Sequence, residues 1–399
     1  MMLKIKIIFF ILFLSFLNAK PLSYSFNNFG FDLFKQINSE KDENILISPL
    51  SIGYALMMVN QGASGSTFDN ILSTLNIKST DLNKHYHFIQ KYIDYLNDNN
   101  VYINNSIWIQ KDKCYIPNNN YISFVDSVFG ANAFYVDFSK NTFTIIQDIN
   151  DWISGATNSL IQNMVSDNDI KKTTVQALLN TLYFKDQWLV PFDSTMTKLD
   201  FFNTNSSQEE IYMMNKQSRY PYYDNENFQL LELQYVNSDI SMLFFLPKDD
   251  VGLDSLINYL DVLEFQKSLD SLKLSKGNVS IPKFKLESST SLKEHLQSMG
   301  MTIPFSPYLA SFDGFWSYDA NCFKSPPNHY IDVINHKTNI NLDENGAEVA
   351  AATSVIINRI TSISPFDEPF SFIANKPFFY VIYDKNYNNL IFIGKYIGS

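Results

Sequence analysis

The chain of 399 residues is 45% hydrophobic and 15% aromatic but only 18% charged, which supplies a large core and excludes a disordered or coiled-coil polypeptide. A formal net charge of −11 argues against a nucleic-acid partner, because phosphate binding needs a basic surface that releases counterions. The two cysteines, Cys114 and Cys322, form no framework pattern, and a domain of this size is stable without a bridge, so free buried thiols are the expectation. Residues 1–6 are a short basic start and 7–17 an apolar run, and small Ala19 precedes Lys20 as a signal peptidase prefers. The run falls short of the roughly 20 residues that span a bilayer. A signal peptide at 1–19 is therefore expected, leaving a soluble, secreted, extracellular protein with no membrane partner. No linker, repeat or low-complexity tract divides the remainder, which reads as one domain over 20–399. Asn104, Asn205 and Asn278 head Asn-x-Ser acceptors for a host that glycosylates secreted proteins.

Residues 50–59 carry apolar side chains at three- and four-residue spacing after Ser48 and Pro49, and Pro suits a first helical turn. Helical periodicity recurs over 88–96 and 145–164, the latter enclosing Asn150 and Trp152. In the helical stretch around 78–91, Lys78, Lys84, His85, His87 and Lys91 form at most a small polyanion patch, with Asp81 among them. Residues 101–109, 177–184, 228–235 and 240–246 are rich in β-branched and aromatic residues and read as strands. Further strands are expected at 279–286 and 331–342, and 377–383 with 390–393 flank the turn-like 384–389 as a hairpin. Helices mostly first and antiparallel strands mostly later give an α+β class.

Catalytic chemistry leaves little trace. The five histidines are His85, His87, His295, His329 and His336, and no H-E-x-x-H, C-x-x-C pair, G-x-S-x-G, P-loop or G-x-G-x-x-G occurs. Neither an enzyme, a metal site nor a cofactor is expected.

The unusual segment is 343–365, DENGAEVAAATSVIINRITSISP. Its start favours helix and its middle favours strand, so tertiary context decides. Read with period two, Ala347, Val349, Ala351, Thr353, Val355 and Ile357 share one side, and Glu348, Ala350, Ala352, Ser354, Ile356 and Asn358 the other. Small side chains lose little rotamer entropy and need little room, so the stretch suits sliding between two existing strands. An ordinary small-residue strand is the plainer reading of this segment taken alone.

Blocks at 44–67 (NILISPLSIGYALMMVNQGASGST), 178–188 (LLNTLYFKDQW), 241–247 (SMLFFLP), 281–289 (IPKFKLESS), 334–353 (INHKTNINLDENGAEVAAAT), 370–382 (FSFIANKPFFYVI) and 392–395 (FIGK) occur in family order, and by them the chain resembles the serpins over essentially its whole mature length. The resemblance implies three sheets, about nine helices and an exposed reactive-centre loop at about 344–365. It implies a polar cluster of Ser48, Ser51, Asn180 and His336 under the central strands where the main sheet parts. Trp188, Lys283 and Glu344 match the place where the loop first enters, with Lys283 and Glu344 as an ion pair. The matching hinge comprises Glu344, Gly346, Ala347, Glu348, Val349, Ala350, Ala351, Ala352 and Thr353.

The implied activity is suicide inhibition: a serine-type protease attacks the bait, and the cut loop inserts as a new strand while the acyl-enzyme persists. Val349 stands where inhibitory members usually have Ala, and Asp186 replaces a common Gly; Val349 should slow insertion more than block it. A non-inhibitory carrier, chaperone or storage protein is the alternative. Counting fourteen residues from Gly346 by the family's usual spacing gives Ile360 as bait with cleavage before Thr361, which suits an elastase-like protease. A loop one residue shorter gives Arg359, the only basic side chain between Ala347 and Pro365, which suits a trypsin-like one and is favoured here. A monomer is expected.

Overall fold

Residues 49–60 are apolar on nearly every side, so this helix has no face to offer water, and all twelve of its residues are buried. It starts on Ser48, whose side chain accepts from the Ser51 N–H, with Pro49 in the first turn where a missing N–H costs nothing. In the computed structural model, which describes residues 22–111, 115–236, 239–318, 329–347 and 368–399, this helix forms the spine of the core. The described residues hold nine α-helices and three sheets of nine, seven and two strands, in agreement with the α+β expectation.

The seven-stranded main sheet positions the site. Its central strand, Gln176–Phe184, is buried along its whole length. It pairs antiparallel with Val101–Gln110 on one side and parallel with Val333–Leu342, the return strand, on the other. Alternation along the central strand divides its side chains between two cores. Leu178 and Leu182 join the large core with the helix Pro49–Asn60, whereas Ala177 and Leu179 join a smaller core under the helix Thr142–Ala156. The return strand pairs on its far edge with Phe284–Ser291.

Two boundaries differ from the sequence expectation. The helix expected over 145–164 stops at Ala156, because the Thr157 hydroxyl takes the Ile153 carbonyl and receives the Ile161 N–H while Asn158 and Ser159 adopt positive φ. Ile161, Met164 and Val165 still enter the same core, so their apolar spacing marks burial and not helix. The single strand expected over 279–286 is two: Lys273–Pro282 belongs to the nine-stranded sheet and Phe284–Ser291 to the main sheet. The hairpin Phe378–Asp384 with Asn389–Tyr396 forms as expected.

Candidate functional site

The central and return strands run side by side only part of the way. Their ladder extends from Val333 opposite Ala177 to Thr338 opposite Leu182. Beyond it the return strand ends in a tight turn, Asp343 to Gly346. The Asp343 carboxylate accepts from the N–H groups of Asn345 and Gly346, an Asx-type turn. Past the turn, Gly346–Ala347 is a two-residue strand held on both sides: Ala347 opposes Leu342 and Asp186, and Gly346 opposes Gln187. Ala347 is fully buried. Gly346 has φ +150°, and a Cβ there would lie 2.1 Å from the Asp186 carbonyl oxygen, so only glycine passes this close to the neighbouring backbone.

Trp188, Lys283 and Glu344 meet at this turn. The Trp188 indole N–H donates to the Asp343 carbonyl at 3.0 Å and its backbone N–H to the Asn345 carbonyl at 2.7 Å. The ring is buried and stacks on Tyr235, with centroids 4.5 Å apart. Glu344 receives Lys283 Nζ at 2.9 Å on one oxygen and the Thr197 hydroxyl at 2.8 Å on the other. Burial works to raise the Glu344 pKa, but the hydrogen bonds from Lys283, from its own backbone and from Thr197 together hold it below the ordinary carboxylate range.

The second group lies under the paired part of the strands. Ser48, Ser51, Asn180 and His336 are all buried. The Ser48 N–H donates to His336 Nε2 at 2.9 Å, so that nitrogen is an acceptor and the ring proton sits on Nδ1, which faces the Asn180 side-chain oxygen. The Asn180 amide nitrogen reaches the Ser51 carbonyl at 2.8 Å, the Ser51 hydroxyl at 2.5 Å and the Asn105 side-chain oxygen. The Ser51 hydroxyl donates to the Thr181 carbonyl at 3.3 Å. His336 and Asn180 are cross-strand partners on the return and central strands, so this chain of bonds ties both strands to the helix Pro49–Asn60. Burial holds the His336 imidazole neutral, lowering its pKa to about 3 against a small opposing effect of the Asn180 backbone.

Three residues of these groups escaped the sequence reading. Asn105, Thr197 and Tyr235 are strand or loop residues with no motif of their own, and only strand register brings them to the site. The basic patch around 78–91 needs correction. The helix Leu82–Asp98 turns His85 to its buried face, where burial lowers the imidazole pKa, and only Lys78, Lys84, His87 and Lys91 stay exposed. Asn104 is also a poor acceptor for sugar, since its amide nitrogen is buried on a paired strand, whereas Asn205 and Asn278 are exposed. Residues 1–19, Cys114, Cys322, Glu348 to Thr353 of the hinge, and Arg359, Ile360 and Thr361 lie outside the described residues. Among the described residues, no His, Cys, Asp and Glu side chains cluster as metal ligands would.

Comparison with known proteins gives one answer across the chain. The family described as Serpin (serine protease inhibitor) matches residues 24–398. Intracellular coagulation inhibitor 2 of Tachypleus tridentatus is 31% identical, over 94% of this chain and 90% of that protein. The native-state crystal structure of the thermophilic serpin tengpin superposes with a TM-score of 0.82 at 27% identity, covering 96% of this chain and 97% of that one. Human thyroxine-binding globulin superposes with a TM-score of 0.83 at 25% identity, covering 94% and 98%.

Proposed function

The chain belongs to the serpin family, and on that premise we propose that it is a secreted, monomeric inhibitor that traps a serine-type protease by inserting its cleaved loop into the main sheet. One observation carries this reading: Ala347, the first small residue after the Gly346 turn, is already seated between Leu342 and Asp186 as the start of an added strand. Extension of a sheet by one more strand is a general mode of recognition, for which serpin loops are themselves a standard illustration. A stretch of roughly 14 residues at about 3.3 Å each travels on the order of 45 Å along the sheet. At about 1 kcal/mol net per new hydrogen bond, insertion releases roughly ten or more, enough to distort a tethered catalytic site before water frees it.

In this reading Trp188, Lys283 and Glu344 form the mouth through which the loop enters. The cluster of Ser48, Ser51, Asn180 and His336, with Asn105, holds the sheet closed below. Opening the sheet must exchange these buried hydrogen bonds for others, since an opening that left them unmet would be prohibitive. Arg359 serves as bait for a trypsin-like protease, with Ile360 and an elastase-like protease as the competing assignment. Export rests on residues 1–19, and secreted protein should begin at Lys20.

The test is to mix the protein with trypsin-like and elastase-like proteases and look for a covalent complex that survives SDS, then to read the cut bond by mass spectrometry. A peptide ending in Arg359 or in Ile360 fixes the bait. Cleavage by a broad panel with no such complex, and a cut protein no more heat-resistant than the intact one, would assign the chain to the non-inhibitory serpins.

A further inference from the structure

Six of the fourteen large apolar side chains that stand exposed among the described residues fall in one short stretch: Leu189, Val190, Met196, Leu199, Phe201 and Tyr212. Three of them form a single face. The strands Lys198–Asn203 and Gln208–Asp224 pair antiparallel, with Leu199 opposite Tyr212 and Phe201 opposite Glu210. Opposed residues share a face of a sheet, and so do residues two apart on one strand. Leu199, Phe201 and Tyr212, each 53–56% exposed, therefore lie together with the Glu210 carboxylate beside them, while Phe202, next after Phe201, and Ile211, between Glu210 and Tyr212, are buried on the other side.

This face is tied to the root of the loop from two directions. Thr197, two residues before Leu199, holds one oxygen of Glu344. Lys283 holds the other, and its own N–H donates to the Tyr212 carbonyl at 2.8 Å. A protein that grips the chain beyond Ala347 thus approaches the body beside an apolar surface that nothing among the described residues covers. Scattered exposed apolar residues need no explanation, but a contiguous group does.

We propose that Leu199, Phe201 and Tyr212 form an accessory docking surface for the protease that cuts the loop, which meets them with an apolar patch and sets a basic side chain opposite Glu210. The proposal rests on the inhibitor reading above. The chain's net charge of −11 favours a basic partner and hastens the encounter. The loop supplies the bond to be cut, and this surface adds affinity for the protease body, so that discrimination between proteases does not depend on the bait side chain alone.

The test uses the full-length protein and two probes, a trypsin-like and an elastase-like protease, each with its catalytic serine replaced by alanine so that encounter is measured without chemistry. Replacing Leu199→Ser together with Phe201→Ser should weaken binding of the matching protease about tenfold or more with an unchanged melting temperature. Glu210→Lys, which alters no apolar contact, should weaken it about threefold at low salt and less at high salt. Wild type and both variants binding the probes equally would overturn the proposal. So would a wild-type dimer in sedimentation that the double variant loses while protease affinity stays the same, since the face would then serve a second copy of this chain. Failure of the inhibitor reading registers separately, as loop cleavage by the active protease without an SDS-stable complex while the affinity difference persists.

Discussion

The main sheet is held together by two polar groups of opposite character. Below, Ser48, Ser51, Asn105, Asn180 and His336 are fully enclosed and neutral, joined by hydrogen bonds among side chains and from side chains to the backbone of Ser48 and Ser51, with no access to water. Above, Lys283 and Glu344 make an ion pair whose lysine side chain is 43% exposed. The difference lies in what removal costs. Breaking the enclosed network strands its partners in a medium that offers no replacement, whereas water reaches the half-exposed Lys283, and the buried Glu344 keeps its bond from Thr197 when the lysine is lost. Loss of the lower group is therefore expected to cost more stability than loss of the upper one.

The variant with the largest expected effect acts on neither group directly. Ala347→Arg forces a long cation into a fully buried slot between two backbones. Inhibition should give way to complete turnover of the protein as substrate, seen as cleaved product without complex. Unchanged stoichiometry of inhibition would break the link between Ala347 and insertion. Asn180→Ala comes next: it leaves the His336 ring N–H and the Asn105 oxygen without their partner and should cost about 2–4 kcal/mol in urea unfolding. A loss below about 1 kcal/mol would deny the enclosed group its role.

Acid sharpens the same contrast. His336 is neutral in the folded protein down to about 3, while in the unfolded chain imidazole titrates near 6.5. Between these values unfolding takes up a proton, so stability is full above about 6.5 and falls as pH drops towards 3, by up to about 1.4 kcal/mol per pH unit. Urea midpoints for His336→Gln should fall less steeply than wild type over this window; parallel curves would contradict the assignment. The smallest effect is expected from Lys283→Met, at most about 1 kcal/mol and diminished further in high salt. Trp188, stacked on Tyr235 beside the Asp343 carbonyl, should report changes at the mouth through its fluorescence in each variant.

The places where sequence and structure part company share a cause. Over 279–286 the apolar alternation slips phase, from Val279 and Ile281 to Phe284 and Leu286, and at that slip Pro282 ends one strand and the chain crosses into another sheet before Phe284. Periodicity records burial but not which sheet supplies it. The same holds at Ile161, Met164 and Val165, which line one core with the preceding helix without extending it. His85 looked like a surface cation because its neighbours are polar, and only the packed face of its helix revealed it as buried.

The sequence alone determined the apolar spine at 49–60, the main strands and the closing hairpin, because each follows from side-chain size, periodicity and turn chemistry within a short window. Tertiary structure alone decided that Asn180 and His336 face each other, that Asn105 and Thr197 belong to the site, and that Ala347 already lies between two strands. Such facts depend on register between segments far apart in the chain, as in the 75-residue separation of Asn105 and Asn180 and the 156-residue separation of His336 and Asn180. A local pattern specifies which face of a strand is buried, but only the folded sheet specifies what it meets there.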